Sequence, residues 1–182
     1  DQGMVSLDVT DPAHPKELSK FTDFGPAKYR AIHMCRAFPE LTAGKQISVC
    51  EPEIGGAQDT GYMTFLDTTD PAHPAKISWW TLPAQDPPLG VRDLDFSPHN
   101  FDVWDGKLVL AHYHAGVWVI DVHDQENLKA PKTVGFYMPA KPRADLPDQV
   151  LQPDVWGVQQ KDGYLYASDM ATGLYILKYT GP

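Results

Sequence analysis

The segment Leu7-Asp8-Val9-Thr10-Asp11-Pro12-Ala13-His14-Pro15 returns later in the chain as Leu66-Asp67-Thr68-Thr69-Asp70-Pro71-Ala72-His73-Pro74. A weaker copy, Ile120-Asp121-Val122-His123-Asp124, is followed by Lys129-Ala130-Pro131, and Leu177-Lys178-Tyr179 is a truncated copy at the end. Self-similarity at a period of about 40 to 60 residues marks a repeat array, in which one unit cannot bury its apolar surface alone and must stack on its neighbours. That constraint excludes most single-core folds before composition is considered.

The third repeat shows the parts of one unit. A strand over 98–104 meets Asp105-Gly106, a second strand runs over 107–112, Gly116 breaks the chain, and further strands follow over 117–122 and 132–137. Asp-Gly between apolar runs predicts a two-residue type I′ hairpin, because that turn needs φ > 0 at both central positions. The last repeat has the same order, with Asp162-Gly163, a strand over 164–169, Gly173, and a strand over 174–179. Leu108-Val109-Leu110-Ala111 and Leu174-Tyr175-Ile176-Leu177 are apolar at successive positions, so both faces of their sheets are expected to be covered. No segment of helical length carries a 3.6-residue period. With 17 Pro and 14 Gly in 182 residues, the chain suits short strands and turns. The predicted fold is all-β, a β-propeller made of four-stranded antiparallel blades.

The predicted strands fall in groups of two, four, four and three, so the chain covers about three to four blades. The blade parts lie at approximately 1–24, 28–83, 93–139 and 153–182. Residues 1–182 then read as a single β-propeller domain or as the C-terminal half of a larger propeller. The expected partner is the rest of its own propeller, or a second chain completing the ring, because open sheet edges invite aggregation. Another surface protein is a further expected class of partner. Nucleic acid is excluded as a partner by charge: 15 Lys and Arg against 24 Asp and Glu give a net −9. No run of 18 or more apolar residues is present, so no membrane span is expected.

The pattern Gly-x-x-x-ψ-Asp-Val-x-Asp-Pro-x-x-Pro, carried by 3–15 and less well by 116–131, resembles the repeat of the LVIVD-repeat β-propeller family. The segment over 165–179 looks like that family's closing repeat. More distantly, the chain is similar to the selenium-binding protein and methanethiol oxidase propellers, a group that includes copper enzymes. The first resemblance implies a secreted or cell-surface binding or scaffold protein, placed outside the cell, in the periplasm or on the cell surface. The second implies a copper- or iron-dependent oxidoreductase.

The hairpin turns also predict which polar residues share a level. Counting back from Asp105-Gly106 puts His99 opposite His112, and from Asp162-Gly163 puts Trp156 opposite Asp169. Aligning the longer second repeat gives His33 and Glu51 as the equivalent pair. In propellers the first strand of each blade lines the axis, so His33, His99, His112, Glu51 and Asp169 are expected to converge there. His114 and Glu53 lie two residues beyond, on the same side of their strands. Imidazole with carboxylate suits a transition metal (Cu, Fe or Zn) better than Ca²⁺, which prefers oxygen ligands. Asp169 has a second reading, as a side chain that hydrogen-bonds a turn. His14, His73 and His123 sit in the repeated turns and read as turn residues at the opposite face. Asp93 and Asp95 form a loop pair without the spacing of a calcium-binding loop. No nucleophile triad, P-loop or dinucleotide fingerprint indicates a catalytic residue.

The same alignment sets Cys35 opposite Val49 and Cys50 opposite Met34, with the sulfurs on opposite sheet faces. Free thiols are therefore expected, unless one extra residue in a bulge brings the two together.

Overall fold

The two Asp-Gly turns fold as their sequence predicts. Asp105 and Gly106 have φ of 48° and 65°, and Asp162 and Gly163 have 51° and 80°. Trp104 accordingly faces Lys107, and Lys161 faces Tyr164. At Gly106 a side chain is also excluded by space, since a Cβ there would lie 2.5 Å from that of His123. The structure, a computed structural model, describes residues 3–25, 31–53, 60–83, 96–139, 141–143, 146–151 and 153–181.

Among the described residues the fold is all-β, apart from one short helix, and every sheet is antiparallel. β1 (Met4–Asp8) and β2 (Lys16–Phe21) pair as a two-stranded sheet. β3 (Ile32–Ala37), β4 (Ile47–Pro52), β5 (Met63–Asp67) and β6 (Ala75–Trp80) form a four-stranded meander. β7 (Phe101–Trp104), β8 (Lys107–Ala111), β9 (Val117–Asp121) and β10 (Lys132–Tyr137) form a second one. Between β9 and β10 lies α1 (Gln125–Lys129), capped by Asp124, whose carboxylate accepts the Asn127 N–H. β11 (Lys141–Arg143) and β12 (Leu146–Leu151) make a small hairpin outside the predicted blade parts. β13 (Val155–Lys161), β14 (Tyr164–Asp169) and β15 (Gly173–Leu177) close the order as a three-stranded sheet.

The repeated motif folds as a repeated turn. Asp11 accepts the Ala13 N–H and holds His14 Nδ1 at 2.9 Å, and Asp70 accepts the Ala72 N–H and holds His73 Nδ1 at 2.8 Å. Each aspartate thus satisfies a backbone donor that the turn leaves unpaired. His123 is tied to Asp121 in the same region of its own repeat.

The sheets stack in chain order. Phe21 and Met4 from the first pack on Cys50 and Leu66 from the second. Val49 and Phe65 on the other face of the second sheet meet Leu108, Leu110, Trp118 and Ile120 from the third. Val109, Ala111 and Val119 meet Val155, Val158 and Leu165 from the last. β8 and β9 are therefore covered on both faces, which is why their apolar residues do not alternate with polar ones. Each such buried side chain contributes roughly 1.5 to 3 kcal/mol through removal from water. One buried carboxylate fastens three sheets: Asp102 binds Arg36 Nη1 at 2.7 Å and accepts the Val103 and Gln160 N–H groups.

The expectation of free thiols is overturned. Cys35 and Cys50 form a disulfide and face each other directly in the β3–β4 register. The reason is one extra residue on β3, at His33, which moves every later pairing by one.

Candidate metal centre

The same irregularity recurs in three sheets. The β3–β4 register jumps from Ile32↔Pro52 to Met34↔Glu51 and leaves His33 over. The β13–β14 register jumps from Val155↔Asp169 to Gly157↔Ser168 and leaves Trp156 over. Ahead of β7, His99 N–H donates to Ala111 O at 2.9 Å while Ala111 N–H donates to Asn100 O at 3.0 Å, so two residues share one partner. A β-bulge bends its strand and re-aims a side chain. Here the three re-aimed side chains are the three equivalent positions of the repeat, and their rings form one column. The His33 and His99 centroids are 4.6 Å apart, and those of His99 and Trp156 are 5.0 Å apart.

Both imidazoles are held from behind. His33 Nδ1 shares a hydrogen bond with Glu51 Oε1 at 2.9 Å, and His99 Nδ1–H donates to Trp156 O at 2.5 Å. A carbonyl can only accept, so this bond fixes His99 in the tautomer whose Nε2 carries a lone pair when the ring is neutral. Both Nε2 atoms face Glu53, which continues from β4: His33 Nε2 is 3.9 Å from Oε2 and His99 Nε2 is 3.7 Å from Oε1. The ligating atoms of His33, Glu53 and His99 all lie within 4.8 Å of one another.

Tyr113 completes the wall. Its hydroxyl donates to Glu53 Oε1, and its ring stacks on His99 at 5.5 Å and on Trp156 at 5.3 Å. The residue has φ of 36°, in the left-handed region. For a bulky side chain that conformation costs on the order of 1 to 3 kcal/mol, so the surroundings must hold it. They do so through paired bonds to Val155, with Tyr113 N–H donating to Val155 O and Val155 N–H to Tyr113 O, each at 3.1 Å. Burial, then the hydrogen bond and charge of Glu53, push the Tyr113 phenol up, so it remains a donor. Burial, and secondarily the charge of Glu53, push Glu51 up to about 9. Its second oxygen, Oε2, is buried without a partner among the described residues.

The structure separates other residues that the sequence reading grouped. His112 does not face His99. β8 alternates, sending Leu108, Leu110 and His112 toward Trp80 and Trp118, whereas the bulge turns His99 to the column. His112 Nε2–H donates to Thr60 O at 3.0 Å, and burial lowers its pKa to about 4. Asp169 lies opposite Val155, not Trp156. It accepts the N–H groups of Asp154, Ala171 and Thr172, all at 2.8 Å, and so buckles a turn. Glu51 stands behind His33 and does not face Glu53's ligating position. His114 is half-buried in the turn after Tyr113 and is not among the converging ligands. Asp93 and Asp95 lie outside the described residues.

The donor set fits a first-row metal. Two neutral imidazole nitrogens and one carboxylate at about 2.1 Å from an ion would stand roughly 3.4 Å apart in tetrahedral geometry. The separations of 3.7 and 3.9 Å, to the two oxygens of Glu53, are close to that value, and all three ligating atoms stand within 4.8 Å, so the side chains must draw together to grip an ion. His33 and Glu53 are about one-third exposed, so an ion has a way in. No protein-family model matches the chain, and no curated protein matches it.

Proposed function

We propose that this chain supplies about three to four blades of a β-propeller of the LVIVD-repeat type, a secreted or cell-surface binding protein that holds a transition-metal ion on His33, His99 and Glu53. The observation that carries the metal reading is the convergence of two Nε2 atoms on one carboxylate, with each imidazole fastened at its far nitrogen. Such outer hydrogen bonds orient histidine ligands and raise their basicity. Cu, Fe or Zn fits this donor set, and Ca²⁺ does not.

The propeller reading is supported by the four sheets that stack in chain order and by bulges that recur at one position of the repeat. It is supported also by apolar side chains on the outermost strands, Val5 and Leu7 on β1 and Leu174 and Ile176 on β15. Those surfaces would be covered by the rest of the same propeller or by a second chain completing the ring. A copper- or iron-dependent oxidoreductase is the second reading. Three protein ligands favour it, because catalytic metal sites keep positions open where structural ones close them.

Elemental analysis of the purified protein and of His99→Ala tests the proposal. Stoichiometric Cu, Fe or Zn in the first, and its loss in the second with the far-UV spectrum unchanged, is the expected result. Absence of metal, or calcium alone, would overturn it.

A further inference from the structure

The disulfide lies between the strands that carry the ligands. His33 is two residues before Cys35, and Glu53 is three residues after Cys50. Among the described residues β3 is the edge of its sheet, with β4 as its one ladder partner. At the site end that ladder is thin. His33 is the unpaired bulge residue, and Ile32 is opposite Pro52, which has no N–H to donate. Beside it stand the Met34↔Glu51 pair and the His33–Glu51 hydrogen bond, and the Cys35–Cys50 bond one pair further in is the nearest covalent connection. On the other side of the ion, His99 is held by the third and fourth sheets and is independent of this bond. Cys35 is exposed, whereas Cys50 is fully buried.

We infer that the Cys35–Cys50 disulfide is a redox clamp on the metal centre: closed, it holds His33 in register with Glu53, and opened, it releases the ion. The inference rests on the metal reading above. In the opening step a thiolate of an external dithiol attacks the sulfur of Cys35, the exposed residue of the pair, and Cys50 leaves as a thiolate and takes a proton. The second thiol of the reductant resolves the mixed disulfide, freeing Cys35. Two electrons and two protons reach the protein, and the reductant becomes the disulfide. Without the bond, β3 is held beside His33 by its thin ladder and the single His33–Glu51 hydrogen bond, and one ligand loses the covalent brace on its distance from the other two. Coupling of this kind is reciprocal. A metal ion bridging β3, β4 and the third sheet therefore protects the disulfide from reduction.

Zinc binding to the intact chain tests this, read by competition with a chromophoric chelator. The oxidised protein, Cys35→Ser/Cys50→Ser and His99→Ala are compared. Serine is used so that freed thiolates add no zinc ligands. The double serine variant is expected to bind zinc tenfold to a hundredfold more weakly, the range seen when support around a ligand is lost. Equal affinity in the serine variant, with zinc binding abolished in His99→Ala, overturns the clamp and leaves the metal reading standing. No zinc binding by the oxidised protein overturns both. A second measurement needs no cysteine variant: the rate at which a phosphine reduces the disulfide with and without zinc. Slowing by zinc of tenfold or more is expected in the native chain and not in His99→Ala. An unchanged rate, in a chain that binds zinc, refutes the coupling.

Discussion

One buried side chain, His112, should make this fold lose stability on acidification by an amount that can be isolated. The ring is fully buried, lies edge-on to Trp80, donates one hydrogen bond to Thr60 O, and has no partner at Nδ1 among the described residues. Burial lowers its pKa from 6.5 to about 4. Above pH 6.5 the ring is neutral in both the folded and the unfolded chain, and it adds no pH dependence. Between 6.5 and about 4 the unfolded chain takes up a proton that the folded chain refuses, so stability falls as pH falls. Below about 4 both states are protonated and the loss levels off. The interval spans about 2.5 pH units at 1.36 kcal/mol each, or about 3 kcal/mol. For a domain with a total stability of about 5 to 15 kcal/mol, that is a large share. His112→Gln keeps an amide donor near Thr60 O and removes the titration. Urea unfolding of both proteins at pH 7, 6, 5 and 4 gives the difference, in which carboxylates and other histidines cancel. The native protein should lose about 3 kcal/mol more than the variant between pH 7 and 4. Parallel stability curves, or an NMR titration showing the His112 ring protonated by pH 6, would refute the argument.

Three further outcomes follow from particular contacts. Asp102→Ala removes the shared partner of Arg36, Val103 N–H and Gln160 N–H, and should cost about 3 kcal/mol in urea unfolding; a loss below about 1 kcal/mol would show that the sheets do not depend on it. Tyr113→Phe deletes the hydroxyl that holds Glu53 while keeping the ring stack, so metal affinity should fall about tenfold with thermal stability nearly unchanged. Unchanged metal affinity would remove Tyr113 from the site. Reducing Cys35–Cys50, which are 15 residues apart, should lower the stability of the metal-free chain by about 3 kcal/mol in denaturant titrations under reducing and oxidising conditions, and coincident curves would contradict it.

The sequence made the strands and their connections readable because repeats, glycine turns and apolar runs are local signals. Asp105-Gly106 and Asp162-Gly163 set two hairpins directly. The grouping of strands also followed, since the copy of Leu7–Pro15 at Leu66–Pro74 identifies equivalent strands without any structure. What could not be read was the local register at the ends of the first strands. A bulge leaves no composition signature, and a shift of one residue turns a side chain to the other face. Regular pairing therefore predicts His99 opposite His112 and the two cysteines on opposite faces, and the bulges at His33 and His99 undo both. The two-residue period of a strand puts Glu53 on the same side as Glu51, whereas Tyr113 carries only a weak signal, as the neighbour of His112. The left-handed backbone of Tyr113, which aims its hydroxyl, could not be foreseen because that conformation is rare for a tyrosine.

Equivalence in the repeat and equivalence in function are separate, and the ring column shows why. His33, His99 and Trp156 occupy one position in three successive sheets, and each is the residue left over by its strand's bulge or by a shared partner. The bulge supplies two things at once: a side chain turned out of the sheet and a peptide group freed from the ladder. In the second and third sheets the side chain is used, as an imidazole whose Nε2 faces Glu53. In the last sheet the peptide group is used, since Trp156 O accepts from His99 Nδ1 and from Asn100 N–H. The indole, tied to Asp154 Oδ1 at 2.8 Å, closes the column against His99 and Tyr113. Trp156→His would therefore keep the carbonyl that orients His99 and place a third imidazole at the end of the column. The loss expected is that of the Tyr113 and His99 stack, not of the His99 tautomer.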